Sequence, residues 1–201
     1  MLNLPKSCIV DKFIPKKTFY EKVNIASNVK NEFIDLIDKI VWKYKLSEDT
    51  IKINKTKEVE EIEIFEITLK ERKIPKSVIN IIIKAIPYKI LFVLKYKEDS
   101  CYVINAEQIY FSTWNEDINL DFTGINLESI YQNIVKKIIK EESNNSNFSD
   151  IIENKQLKEQ LLKKIDVLKN KIKRERQFNK KVELNQELRR LENEMEELIN
   201  E

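Results

Sequence analysis

The sequence predicts an α+β protein: a mixed, largely antiparallel sheet with flanking helices, followed by a long C-terminal coiled-coil helix. Three observations predict it. Runs of β-branched and aromatic residues, best at Glu61–Leu69 and Lys89–Tyr96, have strand character. Runs with apolar residues on one helical face, best at Leu127–Ile139, are interleaved with them. From Asp150 to Glu201 the chain has no Pro, Gly, Cys or His, and its apolar residues step by four and three. That spacing makes a narrow seam, the pattern of a coiled coil.

The elements follow in order. Leu2 to Pro15, punctuated by Pro5 and Pro15, reads as an extended arm. Thr18-Phe19-Tyr20-Glu21 has the form of a capping box and opens a short helix. Asn31–Lys45 carries Phe33, Ile34, Leu36, Ile37, Ile40, Val41 and Tyr44 on one broad face, which predicts a helix. Ser47-Glu48-Asp49 reads as a turn and Ile51-Lys52-Ile53 as a short strand. Glu61–Leu69 is a strand, and Val78–Ile86, bounded by Pro75 and Pro87, is a helix. Lys89–Tyr96 is apolar on both faces, so it belongs at the centre of the sheet. Lys97–Ser100 turns into two further strands, Cys101–Ile104 and Gln108–Trp114. Leu127–Ile139 is an amphipathic helix, and the Ser/Asn-rich run Ser143–Ser149 is a linker. The domains expected are therefore 1–142 (α+β), 143–149 (linker) and 150–201 (coiled coil).

The C-terminal seam comprises Leu161, Ile165, Leu168 and Ile172, then Leu184, Leu188, Leu191, Met195 and Leu198. Such a seam needs a mate, so the second run forms a candidate partner-binding surface. Lys163–Lys181 holds nine Lys/Arg against Asp166 and Glu175, whereas Glu183–Glu201 holds seven Glu against Arg189 and Arg190. This order opposes the helix dipole. Antiparallel pairing of two copies would lay basic half on acidic half, and a hairpin would match charge equally well. The gap between Ile172 and Leu184 breaks the phase of the seam. It holds no Gly or Pro, which favours one continuous helix over a hairpin bend. Within it Arg174, Arg176, Gln177, Phe178, Lys180 and Lys181 form a candidate contact patch for phosphate or an acidic partner, though a solvated face is the simpler reading.

Composition excludes much. In 201 residues there is no His and a single Gly, Gly124. Nucleophiles that rely on a His base, His-ligated metals, phosphate loops and dinucleotide fingerprints are thereby removed. No metal site and no cofactor motif is legible. Cys8 and Cys101 are far apart and read as small buried thiols. The 36 basic and 34 acidic residues nearly cancel, so no global field points to nucleic acid. The absence of a signal peptide or apolar run of spanning length makes the cytoplasm the default and a membrane role unexpected. One catalytic arrangement survives: Asp49 before a strand, then Glu71-Arg72-Lys73 after another, the order of a metal-dependent nuclease. In a chain one-third charged, Glu-x-Lys arises often by chance.

Three patches carry a resemblance: Leu4-Pro5 with Ile14-Pro15-Lys16-Lys17 and Phe19-Tyr20; Ile40–Leu46 with Thr50-Ile51; and Arg176–Asn185, the most specific. Over essentially its whole length the chain resembles a bacterial and archaeal family, domain of unknown function family 4391. The resemblance implies no activity and no catalytic residues. Members tend to be encoded beside DNA methyltransferases and helicases of restriction-type systems, which implies by association a role in DNA modification or phage defence. The expectation is a non-enzymatic accessory or scaffolding protein that docks on itself, a helicase or a methyltransferase through its coiled coil. The alternatives are a metal-dependent nuclease and a nucleic-acid-binding module.

Overall fold

A computed structural model describes residues 2, 4–20, 25–141 and 147–200, the last as backbone only. The chain divides into two compact units, Met1–Glu142 and Ser143–Glu201.

The first unit is built on a six-stranded sheet whose order follows the sequence: β1 (Ile9–Phe13), β2 (Ile37–Leu46), β3 (Ile62–Leu69), β4 (Lys89–Tyr96), β5 (Asp99–Ala106) and β6 (Gln108–Phe111). Every neighbouring pair is antiparallel except β3 and β4. A parallel pair needs a crossover, and α4 (Lys76–Ala85) supplies it. Val78, Ile79 and Ile82 of α4 bury against Phe65, Phe92 and Val103 of the sheet, joined by Phe33 from α2 (Ser27–Asp35). After α1 (Lys17–Tyr20) and α3 (Glu48–Ile51), the last helix of the unit is α5 (Leu127–Ile139), which packs on β5 and β6. The Tyr131 hydroxyl of α5 donates to the Asn105 carbonyl. Asn126 caps α5 by accepting from the Ser129 N–H at 2.8 Å. A Cβ on Gly124 would collide with Ser129 and Ile130, which accounts for the single glycine.

Three expectations need correction. The helix over Asn31–Lys45 does not exist: α2 ends at Asp35 and β2 runs from Ile37 to Leu46. Ile40 and Val41 are paired in regular register with Ile67 and Glu66 and point to opposite faces, yet both are buried, so the strand lacks an alternating pattern here and imitates helical spacing. Ile51-Lys52-Ile53 is not a strand: the Ser47–Thr50 capping box starts the one-turn helix α3, and Lys52 ends it in the left-handed region. The opening arm is not extended throughout: Lys6–Cys8 makes one 3-10 turn, and Ile9–Phe13 is an edge strand of the sheet. The capping partner Glu21 lies outside the described residues, as does most of the linker read at 143–149.

The second unit corrects the C-terminal reading. It is not one helix but two, α6 (Phe148–Arg174) and α7 (Phe178–Asn200), joined by Glu175-Arg176-Gln177. Leu161, Ile165, Leu168 and Ile172 of α6 pack against Leu184, Leu188, Leu191, Met195 and Leu198 of α7. The turn needs no Gly because Glu175 adopts ordinary extended geometry (φ −71°, ψ 129°) and its carboxylate satisfies the next two backbone N–H groups. The phase break that sequence reading treated as a stutter is therefore a hairpin bend. Among the described residues no helix is long and apolar enough to cross a membrane.

Candidate functional site

The hairpin connection brings the basic patch together. Arg174 ends α6, Arg176 and Gln177 form the turn, and Phe178 opens α7 with Lys180 and Lys181 in its first turn. Glu175 Oε1 accepts from the N–H groups of Arg176 and Gln177, each at 2.8 Å. These bonds, with the Lys180 charge, hold the Glu175 carboxyl below its ordinary range. Asn185 Nδ2 donates to the Lys181 carbonyl at 2.6 Å, bracing the first turn of α7. A hollow of about 420 Å³ lies between Lys171, Arg174, Lys180 and Leu184, with the acids Glu175 and Glu183 also in its lining. Phe178 beside it is 78% exposed. At that exposure Phe178 takes no part in a core.

The seam residues Leu184, Leu188, Leu191, Met195 and Leu198 are placed differently from the expectation. They face α6 of the same chain, with Leu191 buried, so this stripe is already occupied. The antiparallel match of basic to acidic half is likewise met within one chain, and Lys169 Nζ stands 2.9 Å from Glu192 Oε1.

Asp49, Glu71 and Lys73 are not brought together. Asp49 sits in α3, beyond the end where Leu46 pairs with Ile62. Glu71 and Lys73 follow Leu69, beyond the opposite end, where Leu69 pairs with Ile37. The strand between them spans roughly 23 Å at about 3.3 Å per residue. No single metal reaches across that distance. Arg72, between Glu71 and Lys73, has a structural part: it pairs with Asp99 at 2.7 Å and covers the Trp114 ring. Among the described residues no group of three or more His, Cys, Asp or Glu is placed to hold a metal ion. Cys8 and Cys101 are buried free thiols, and burial pushes Cys101 up to about 12.

Sequence reading missed Glu63. It lies on β3, on the face that carries Phe65 and Ile67, and is 4% exposed. Its Oε2 has no hydrogen-bond partner among the described residues. Glu61, two residues earlier on the same face, pairs with Lys45 of β2 at 2.7 Å. Burial first, and then the charge and a hydrogen bond of Glu61, push Glu63 up to about 8, while the Lys45 charge and a hydrogen bond from Trp42 pull the other way. The only signal in the sequence was the alternation Glu61-Ile62-Glu63-Ile64, which by itself reads as a solvated strand face.

An α+β domain with a mixed six-stranded sheet, followed by a helical hairpin with a basic tip, is the class of protein that these observations define. A profile of the family described as domain of unknown function (DUF4391) matches residues 2–195, and the chain belongs to that family. No curated protein matches the chain. No solved structure matches it either.

Proposed function

We propose that this protein is a non-enzymatic accessory module that contacts nucleic acid through the tip of its C-terminal hairpin. The observation that carries the reading is the tip itself. Lys171, Lys173, Arg174, Arg176, Lys180 and Lys181 flank the bend that also carries one exposed aromatic ring, Phe178; of the two acids there, Glu175 is engaged by backbone N–H groups and Glu183 lines the hollow. Cations that neutralise phosphates with an aromatic that can stack on a base are the two parts of a single-strand or junction contact. The hairpin is a short antiparallel coiled coil whose seam holds the tip away from its own base. Association with a helicase or DNA methyltransferase of a restriction or phage-defence system, in the cytoplasm, fits that role.

Fluorescence anisotropy with labelled single-stranded and duplex oligonucleotides over a salt series tests it. Binding should weaken with salt at a slope set by about 0.7–0.9 per phosphate contacted. Replacing Arg174, Arg176, Lys180 and Lys181 together by Ala should remove most of the slope. Phe178→Ala should weaken single-strand binding by about 1–3 kcal/mol with the slope retained. No salt-dependent binding to either strand form would overturn the reading and turn attention to an acidic protein partner.

A further inference from the structure

A second feature of the molecule, independent of the hairpin reading, is the space that Glu63 helps to line. A cavity of about 250 Å³ opens on the sheet face beneath α1 and the end of α4. Trp42, Phe65, Phe19, Ile86 and Tyr88 form its apolar wall, with Glu63 in the lining. Trp42 and Phe65 are stacked with ring centroids 6.4 Å apart and planes within 10°. The Trp42 indole N–H is engaged by the Tyr44 carbonyl at 3.1 Å. Two acids, Glu61 and Glu63, stand beside one cation, Lys45, and Lys45 is held by Glu61. The cluster therefore has one acid in excess, and that acid is the buried one.

A purely structural carboxyl is bonded at both oxygens when it is buried, because an unmet oxygen loses its hydration without return. Glu63 Oε2 is unmet, and the Glu63 residue lines a space large enough for a ring and its substituent. Aromatic faces beside a carboxylate favour a cation on two grounds: ring quadrupoles attract it and the carboxylate neutralises it.

We propose that this cavity binds a small aromatic cation, an amine or amidinium, whose N–H groups donate to Glu63 and whose ring lies among Trp42, Phe65 and Phe19. Binding transfers one proton to solvent: the neutral acid ionises, its O–H proton leaves to buffer, and the carboxylate accepts from the cation. The groups that face Glu63 are Glu61 just before its strand, Lys45 on β2 and Tyr88 after α4. Lys89 at the start of β4 turns instead over the Tyr131 ring.

Calorimetry of the full chain with benzamidine, which stays cationic throughout the range, tests this between about pH 6 and pH 9. Affinity should rise about tenfold per pH unit and level off near Glu63's value of about 8. Below that value, the heat should vary with buffer ionisation enthalpy, reporting release of close to one proton. The neutral isostere benzamide should bind at least about tenfold more weakly at high pH. Glu63→Gln should abolish the pH dependence and bring benzamidine down to the level of benzamide. Should that variant fail to melt cooperatively, the pH profile and proton release of the natural chain decide alone. Absence of benzamidine binding at millimolar concentration, equal binding of the two ligands, or affinity independent of pH would each overturn the proposal.

Discussion

The sheet domain and the hairpin solve the same burial problem with opposite kinds of contact. In the domain, Phe33, Ile79, Phe92 and Val103 meet from segments up to seventy residues apart, and each is fully buried. In the hairpin, the seam joins two helices that are neighbours in the chain, and only Leu161, Ile165, Leu168 and Leu191 of its members are buried. A core with many distant partners is cooperative, because removing one side chain loosens several elements. A single seam closes over a three-residue turn at little entropic cost but has few apolar contacts to lose. The two units should therefore separate in stability, and the protein carries its own reporters. Both tryptophans, Trp42 and Trp114, lie in the domain, while most helical residues of the second unit contribute to far-UV circular dichroism. Phe92→Ala should cost about 3–5 kcal/mol and lower the tryptophan transition. A drop of the same size in a hairpin-only signal would show that the units melt as one.

Acid–base behaviour sharpens the contrast. Glu63 in the domain holds its proton up to about 8, against an ordinary value of 4.5. The folded state then binds a proton that the unfolded chain has released. Its contribution to stability is full below about pH 4.5 and is lost as pH rises towards about 8. The span corresponds to a few kcal/mol, at about 1.4 kcal/mol per unit. Chemical denaturation at several pH values should show the tryptophan midpoint falling across this window. Glu63→Gln should flatten that trend and leave the hairpin signal untouched. A natural chain with no slope between those values would mean that solvent reaches Glu63.

How far the sequence reached follows the same division. β3, β4, α4 and α5 were legible because period and length agreed in each. β2 was not: it is covered on both faces at Ile40 and Val41, and a strand without alternation is indistinguishable from a helix in one dimension. The basic patch was legible as composition, since Arg174 to Lys181 are contiguous. The bend that gathers them was mistaken for a stutter, because Glu175 supplies with its side chain what Gly or Pro would announce. Glu63 was invisible for a different reason. Its environment is created by Lys45 and Trp42 of β2 and by Phe19 and Tyr88, all distant in sequence, and no local pattern marks a strand acid as buried.

The hairpin's own sensitivity should be smaller. Leu161→Ala removes the most buried member of its seam and should cost about 2–3 kcal/mol of hairpin stability. Circular dichroism at 222 nm should show an earlier, broader loss of helix, while tryptophan emission keeps its natural midpoint. Coincident shifts in both signals would indicate that the seam supports the domain.

The smallest effect distinguishes pairing within one chain from pairing between two. Lys169 and Glu192 face each other at 2.9 Å, both half-exposed. An exposed pair contributes about 0.2–1 kcal/mol. Lys169→Glu replaces attraction with repulsion and should lower the hairpin transition by about that amount. The added change Glu192→Lys should recover most of the loss. Because the charges are exposed, the difference should shrink as salt shortens the screening length to a few ångströms. Charge complementarity alone does not specify whose α7 lies on a given α6, since an antiparallel dimer would bring the same signs together. Protein concentration does. Within one chain the midpoint and the Lys169→Glu penalty are independent of concentration, because the turn at Glu175–Gln177 fixes the partner's effective concentration. Across two chains the midpoint would rise with concentration by mass action. A hundredfold dilution series on the natural chain and the two variants reads the difference. A concentration-dependent midpoint would mean that the hairpin opens to exchange α7 with a second copy.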